Sequence, residues 1–433
     1  MKAVLRSFLI VVAVLVAGYV GWGRVEAHRL ANDIDAIAAR GEPVESSAFD
    51  APLPSDAHRE AAQLYLEAAE RAREMARPYP QFARLDVDAV VGRVNVAELE
   101  DTYRKDSQPL QMIDRAAALP FAGFGDLIDG PIWANDGGLQ ALGALGALRA
   151  DLLAYRGDGD AAAQALIAAI GVQRTVASLF SRNQVASRQL GSLRILLRHT
   201  SPSAASLESL QRAFAQLPDE DGLVRDLMLR RSLLIEQGSR SLRPGGVPAG
   251  VAFLFQPFLT RAVRVQVEQF PEVLAAAREP WPDKFATLGA LQGAAESPRS
   301  NRTYLRDILS GRVTNVAAIS AFPVPAGQIL AARRVAIAVL AVERHRRAHG
   351  GALPSSLDVL VPAFIPAVPM DPFTGKPLVF KPSADSYLLY SLDFNRNDDG
   401  GMLYGTGSMN PMPAPRQRDF GVRVPLEATR GAQ

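Results

Sequence analysis

The side chains best suited to chemistry lie in one short stretch near the C-terminus. Residues 391–401 read SLDFNRNDDGG, so acidic and amide groups crowd together just before two glycines. Carboxylates held this close in one loop repel each other and raise one another's pKa unless a cation neutralises them. Short oxygen-bearing side chains are the ligands that calcium prefers. The candidate metal ligands are Asp393, Asn395, Asn397, Asp398 and Asp399.

The spacing of these residues is not that of a true EF-hand. Asp393, Asn395 and Asn397 alternate as the ligands do at the start of such a loop. However, Asp398 stands where the motif requires glycine, and no glutamate occupies its twelfth position. The residues alone are therefore equally compatible with a calcium loop and with a solvated turn that binds nothing.

The elements predicted around this loop form a small α+β lobe. Alternation of apolar and polar residues on both sides of the loop indicates short strands, and a long apolar-periodic segment before them indicates a helix. The predicted elements are a helix at 329–349, a β-hairpin at 377–382 and 386–392, and one returning strand that carries Phe420, Val422 and Val424.

The order of these segments resembles the globular part of the major pseudopilin of type II secretion, over about residues 330–403. The matching segments are the helix at 330–349, LPSSL at 353–357, VPMDPFTGKP at 368–377, YLLYSL at 387–392 and NDDG at 397–400. The resemblance implies a helix packed on a small sheet and an acidic loop that binds a structural calcium ion. It implies side-chain ligands at Asp393, Asp398 and Asp399, with Asn395 or Asn397 contributing and a backbone carbonyl near Leu392.

The chain also departs from that family. A pseudopilin begins with a prepilin-peptidase site and carries a glutamate just inside its hydrophobic helix, whereas the apolar stretch here contains no glutamate. The long helical segment between that stretch and the lobe is foreign to pilins as well. We therefore do not expect a pilus subunit. The whole arrangement resembles bacterial membrane-anchored proteins that carry this module.

The N-terminal segment predicts a membrane helix. Lys2 and Arg6 precede an uncharged apolar stretch that extends to Arg24. With the flanking residues, the stretch approaches the about 20 residues that a helix needs to cross a bilayer. We expect a single-pass anchor in the inner membrane, with the rest of the chain in the periplasm or otherwise outside the cytoplasm.

A cleaved signal peptide is the alternative interpretation of this segment. Small residues such as Gly21 and Gly23 could serve a peptidase, but the stretch has no Ala-x-Ala site. Tyr19 and Trp22 lie where an aromatic belt would meet the far interface, which favours an anchor.

The predicted fold class is mainly α, with an irregular helical body between the anchor and the lobe. Residues 139–155 and 161–180 predict an αα-hairpin that resembles half of a tetratricopeptide unit, although no second copy follows. Residues 242–259 predict a buried irregular connection, because proline and glycine interrupt them. Further helices are predicted at 57–75, 185–197, 204–217, 223–237 and 261–277. The predicted domains are an anchor at 1–24, a linker at 25–56, the body at 57–328, the lobe at 329–404 and a loose tail with one strand at 405–433.

Composition excludes several classes of function. The chain has no cysteine, which excludes disulfides, thiolate zinc sites and cysteine nucleophiles. A net charge of +2 with scattered basic residues gives no indication of nucleic-acid binding. His345 and His349 have a zinc-compatible spacing, but the arginines around them oppose a cation and suit a helix C-terminus better.

We expect a non-enzymatic protein that binds a protein partner in the envelope or serves assembly there, with a connection to secretion machinery as one form of that role. Two alternatives stay open. One is an envelope hydrolase that acts through carboxylates of the helical body, for which Asp226, Glu236 and Glu268 are the candidates. The other is a tetratricopeptide-like groove that binds a peptide.

Overall fold

The protein is known from a computed structural model that describes residues 2–49, 52–76, 107–128, 132–218, 222–241, 249–296, 323–403 and 419–426. Over these residues the fold is mainly α-helical with one small sheet, as the sequence predicts. The helices are α1 (Lys2–Ala39), α2 (Asp56–Ala76), α3 (Gln108–Ala117), α4 (Asp136–Tyr155), α5 (Gly159–Gln173), α6 (Leu179–His199), α7 (Ala204–Ala215), α8 (Leu223–Ser241), α9 (Ala249–Val267), α10 (Phe270–Arg278), α11 (Asp283–Glu296) and α12 (Pro323–Ala348). The strands are β1 (Val379–Pro382), β2 (Ser386–Ser391) and β3 (Phe420–Pro425).

The chain divides into two compact units. The first consists of Met1–Asp50 and Leu223–Pro323, and the second of Ala51–Gly222 and Val324–Gln433. This division differs from the predicted domain boundaries, because the helical body is shared between both units. The predicted lobe is not separate from that body: the guanidinium of Arg333 in α12 donates to the carbonyl of Phe214 in α7 at 3.0 Å.

In the first unit, α1 continues far beyond the predicted anchor. The expected linker at 25–56 is helical as far as Ala39, since its first part contains no proline or glycine and has an apolar face. Leu30 and Ile37 on that face are buried in a small core with Val263 of α9. The amphipathic pattern of residues 25–39 therefore indicates a helix and not a linker.

The remainder of the expected linker is held by a buried arginine of α8. Arg231 is fully buried, and its guanidinium donates to the Glu42 carboxylate and to the carbonyl of Pro43. Burial alone would raise the pKa of Glu42, but hydrogen bonds from Arg231 and Arg278 outweigh it and hold that pKa below its usual value. Ordered ion pairs thus replace the loose connection that was predicted.

The expected irregular connection at 242–259 is wrong from residue 249 onwards. Helix α9 begins at Ala249 and continues through Pro257, while residues 242–248 lie outside the described residues. An interior proline costs a helix about 3 kcal/mol, which is why the sequence predicted a break. Here the Pro257 ring lies against α1, where a methyl group built on Gly23 would be 3.0 Å from it. This packing stabilises a helix that the local sequence disfavours.

In the second unit, α4 and α5 form the predicted αα-hairpin. Asp158 caps α5 by accepting the amide N–H of Ala161 at 3.0 Å. Helix α5 ends earlier than predicted, because Asp136 accepts the amide N–H groups of Ala177 and Ser178 and holds the chain in a turn there. A second helix, α6, then begins under a Ser178 cap.

The predicted β-hairpin and returning strand are confirmed. The three strands form an antiparallel sheet in the order β1-β2-β3, with Val379 opposite Tyr390 and Leu389 opposite Val422. Every residue of the central strand β2 is buried. The core of this region includes α12, where Phe373 packs so closely on Gly327 that no side chain would fit.

A buried ion pair joins two helices of the second unit. Arg188 of α6 donates to Asp151 of α4 at 2.6 Å, and their side chains are 9% and 0% exposed. Arg149, two residues before Asp151 in α4, instead forms a 2.8 Å pair with Asp114 near the surface, where the side chains are 35% and 44% exposed. The two Arg–Asp pairs carry the same charges but differ in burial, so comparing them shows how burial changes the contribution of an ion pair to stability.

We expect Arg188→Met to lower the free energy of unfolding by about 3–5 kcal/mol, because it removes the arginine that pairs with a buried carboxylate. The matched variant Arg149→Met should cost less than about 1 kcal/mol, because solvent screens the exposed pair. Urea denaturation of the full chain in detergent, followed by circular dichroism, measures both. Equal losses in the two variants would contradict the assigned burial.

Candidate metal centre

The acidic loop begins where β2 ends, at Ser391. Asp393 and Arg396 have positive φ values of 55° and 58°, as do Gly400 and Gly401 at 78° and 82°. Left-handed conformations at four positions of one loop turn the chain back on itself, and aspartate and glycine tolerate them better than most residues. This explains the two glycines and the tolerance of the turn at Asp393.

Asp393 lies in the protein interior. Its side chain is fully buried, and Gln328 Nε2 of α12 donates to both carboxylate oxygens at 3.1 Å. Burial is the largest effect on its pKa and, together with the charges of Asp371 and Asp419, raises the pKa to about 7 despite the hydrogen bond from Gln328. This carboxyl group is therefore partly protonated near neutral pH, and a cation beside it would favour its ionised form.

Asp398 points to the other side of the loop. Tyr390 Oη donates to it at 2.7 Å, and Lys381 Nζ lies 3.1 Å from its second oxygen. The hydrogen bond from Tyr390, followed by that from Lys381, holds the pKa of Asp398 below its usual value although partial burial opposes this. The lysine of β1 thus already neutralises this carboxylate.

The remaining predicted ligands bond to one another. Asn395 Nδ2 donates to Asp399 Oδ2 at 2.9 Å, and the amide N–H of Asn397 donates to Asn395 Oδ1 at 3.0 Å. The structure therefore brings Asn395 and Asp399 together, while Asp393 and Asp398 take separate partners. Within the described part of the chain, no group of three or more histidine, aspartate or glutamate side chains is arranged to hold a metal ion.

Three further residues organise the loop and were not predicted as site residues. Asp371 accepts the amide N–H of Phe373 at 2.9 Å, as a turn-forming aspartate does. It also accepts the Ser391 hydroxyl and the Leu392 amide N–H, so it fixes the start of the loop. In the sequence, Asp371 lies between Pro369 and Pro372, and an aspartate among prolines is typical of a turn.

Asp419 fixes the end of the loop. It is fully buried, accepts the amide N–H of Gly401 at 2.8 Å, and has its pKa raised mainly by burial. It lies after a stretch that the sequence indicates only as a loose tail, so no local pattern marked it. Gln328 was missed for a similar reason, because a glutamine on a helix carries no distinctive signal.

The oxygen-bearing side chains of this loop are of the type that binds a hard cation, but in this structure they do not converge on one point. Asp371, Asp393 and Asp419 are buried carboxylates whose charges act on one another. Backbone N–H donors compensate Asp371 and Asp419, whereas the side chain that donates to Asp393 is the uncharged amide of Gln328. Recruiting Asp398 to an ion would require it to leave Lys381.

The two helix-terminal histidines stack on each other. The rings of His345 and His349 are 4.0 Å apart between centroids, and Nδ1 of His349 donates to the carbonyl of His345. Burial, followed by the neighbouring His349, lowers the pKa of His345. Arg346 beside them forms a pair with Glu343 at 2.9 Å. Their interactions are those of a helix end.

The candidate catalytic carboxylates of the first unit all have local partners. Asp226 accepts from Arg230 one turn along α8 at 2.7 Å, and Glu268 pairs with Arg264 of α9. Glu236 accepts the amide N–H of Ser46. Each of the three thus serves local structure, and the described contacts do not bring them to one point.

Comparison with known proteins identifies no relative of this chain. No protein-family model matches the chain, and no curated protein or solved structure matches it either.

In calcium-free buffer we expect Asp393 to destabilise the protein as pH rises. Its folded pKa of about 7 lies above its ordinary value of 3.8, so the native state binds more protons between those limits and stability falls across that window. Asp393→Asn removes this effect and should be more stable than the natural protein at pH 7.5 by on the order of 3 kcal/mol, with little difference near pH 4.

Denaturant titrations at both pH values measure this difference. Asp358→Asn, an exposed aspartate of the same region, serves as the control and should leave the pH dependence unchanged. If Asp393→Asn and the natural protein had parallel pH profiles, Asp393 would not be a buried, proton-binding carboxylate.

Proposed function

We propose that this chain is a membrane-tethered envelope protein with a binding or assembly role, crossing the inner membrane once near its N-terminus, with the residues that follow the apolar stretch outside the cytoplasm. The carrying observation is the exposure of the apolar part of α1. None of its most apolar 18-residue window is buried, and side chains such as Val14 and Leu15 are 66% and 67% exposed. Exposed apolar surface of this extent requires a lipid or protein environment.

A second helix provides a useful comparison. Within the described residues, two helices are long and apolar enough to cross a membrane, and the other is α12. Its corresponding window is 67% buried, and its residues contact the sheet and the helices of the second unit. Burial inside the fold accounts for the apolar character of α12, whereas nothing described covers α1 between Val4 and Val16.

Charge supports the proposed orientation. Lys2 and Arg6 precede the apolar stretch, and positive residues favour the cytoplasmic side of a membrane. The rest of the chain follows the stretch and would then lie on the opposite side.

A binding role is supported over catalysis by the state of the candidate carboxylates. Asp226, Glu236 and Glu268 are engaged in hydrogen bonds or ion pairs within the first unit. A general acid or base needs a carboxyl group within hydrogen-bonding distance of a substrate. The proposed partner is a protein of the envelope, and the pseudopilin-like order of segments suggests secretion machinery as the place to search for it.

We further propose that the acidic loop binds calcium. Asp393 supplies a buried carboxylate with a raised pKa, and Asp399 and Asn395 form a neighbouring oxygen-bearing pair. Asp393 would hold the ion in place of its proton, and Asp398 and Asp399 would contribute further carboxylate oxygens. The chemistry supplied is neutralisation, and the ion would stabilise the fold without taking part in a reaction.

The anchor predicts carbonate-resistant membrane association. The double variant Val14→Arg/Leu15→Arg should lose it, because each arginine near the middle of a membrane helix costs about 2.5–3.5 kcal/mol on insertion. Val359→Arg, which changes an exposed apolar residue of the second unit, should remain membrane-bound. Release of the natural protein by carbonate, with loss of its N-terminal segment seen by mass spectrometry, would indicate a cleaved signal peptide instead.

Calcium should raise the melting temperature of the natural protein at pH 7.5 relative to EDTA. A ligand that binds only the native state adds about 2.7 kcal/mol at one hundred times its dissociation constant. Asp393→Asn should abolish the shift, Asp398→Ala and Asp399→Ala should reduce it, and Asp358→Asn should retain it. A melting temperature independent of calcium in the natural protein would refute the calcium proposal and leave the anchor proposal intact.

A further inference from the structure

Helix α9 runs beside α1 in the same direction. Pro257 lies against Gly23, and the Phe258 ring meets the Trp22 ring with 4.8 Å between centroids. Further along both helices, Glu26 of α1 pairs with Arg261 of α9 at 3.0 Å. Residue numbers therefore increase together along the contact, and the start of α9 points toward the apolar half of α1.

The start of α9 has the composition of a membrane-contacting segment. Residues 249–260 read AGVAFLFQPFLT and contain no charged side chain, whereas the next residue is Arg261. Phe258 and Leu259 are 39% and 43% exposed. Large apolar residues exposed beside an anchor continue its apolar surface, and the described part of the chain does not cover them.

Aromatic residues mark one level across both helices. The Tyr19 ring lies 5.9 Å from that of Trp22 and 6.3 Å from that of Phe258, between centroids. Tyrosine and tryptophan concentrate at membrane–water interfaces, where an apolar ring with a polar edge is best accommodated. The cluster therefore indicates the depth at which the bilayer surface meets both helices.

Charged groups lie together on the other side of this aromatic level. Glu26 is 1% exposed, with Arg261 at 3.0 Å from one carboxylate oxygen and Arg264 at 2.9 Å from the other. Trp22 Nε1 donates to the same carboxylate at 3.2 Å. This arrangement neutralises the acid beside the interface and fixes how far α9 extends along α1.

Helix geometry gives the depth that follows. From Pro257 back to Ala249 is eight residues, or about 12 Å of helix, and from Gly23 back to Tyr19 is four residues, or about 6 Å. The first turns of α9 thus extend about 6 Å beyond the level of Tyr19, within the about 5–10 Å to which interfacial helices penetrate.

We propose that the N-terminal half of α9, residues 249–260, inserts into the membrane leaflet beside the outer end of α1 and forms a second membrane contact. The occupant of this surface is lipid, and the inference rests on the proposed anchoring of α1. The two helices together hold the first unit against the membrane surface, since Arg261 and Arg264 fix α9 to the anchor helix through Glu26.

The absence of cysteine allows a direct test by site-directed spin labelling. Single-cysteine variants of the full chain, labelled and placed in lipid nanodiscs, report depth through their accessibility to oxygen and to a water-soluble nickel complex. We expect Leu259→Cys to report the headgroup region, because it lies one residue beyond Phe258 of the aromatic cluster. Val251→Cys should lie deeper, about 5–10 Å below the headgroups. Glu272→Cys, on the exposed surface of α10, is the matched control and should report bulk water.

Val14→Cys separates the two proposals. A membrane-embedded label at Val14 with water-exposed labels at both Leu259 and Val251 would overturn the inference and preserve the anchor. Water exposure at Val14 would refute the anchor itself and the inference with it. Two positions on α9 are used so that a label that disturbs one of them does not decide the outcome, and thermal melting identifies any such variant.

Discussion

Compensation of buried carboxylates is the constraint on which both units depend. A carboxylate removed from water must gain a cation, several N–H donors or a proton, because the uncompensated charge is too costly. Glu26 gains arginines of α9, and Asp151 gains Arg188. Asp419 gains backbone N–H groups. These solutions fix helix pairs and a loop in place, and hydrophobic burial alone would not specify those geometries.

Asp393 is the case in which this compensation is incomplete. Gln328 donates to both of its oxygens but brings no charge, and the nearby Asp371 and Asp419 oppose ionisation. Near neutral pH, either a bound proton or an external cation would therefore stabilise this carboxyl group. The stability of this lobe therefore depends on whether Asp393 is protonated, whereas a lysine at the same place would have compensated the ionised carboxylate. Lys381 does so for Asp398 on the other side of the loop.

The sequence predicted elements whose signal is local and missed those that depend on distant contacts. The hairpin strands, the αα-hairpin and the apolar α1 follow from periodicity and turn residues. Pro257 argued for a break in α9, yet its ring packs against Gly23, more than two hundred positions earlier in the chain. Asp419 could not be found in advance because its role exists only once β3 pairs with β2. At the site, residue types indicated an oxygen-rich centre, but tertiary contacts decide which oxygens meet.

The contact between α1 and α9 also explains why a glutamate can stand so close to an apolar membrane segment. Alone, Glu26 would favour water and draw the helix outward, because a buried unpaired carboxylate is expensive. With Arg261 and Arg264 against it and Trp22 donating to it, the group is neutralised, and the helix can lie with its aromatic residues at the interface. The arginines come from a helix whose preceding residues are themselves apolar. If both helices lie in the membrane as proposed, one ion-pair cluster sets their depth relative to each other, because it fixes how far α9 extends along α1.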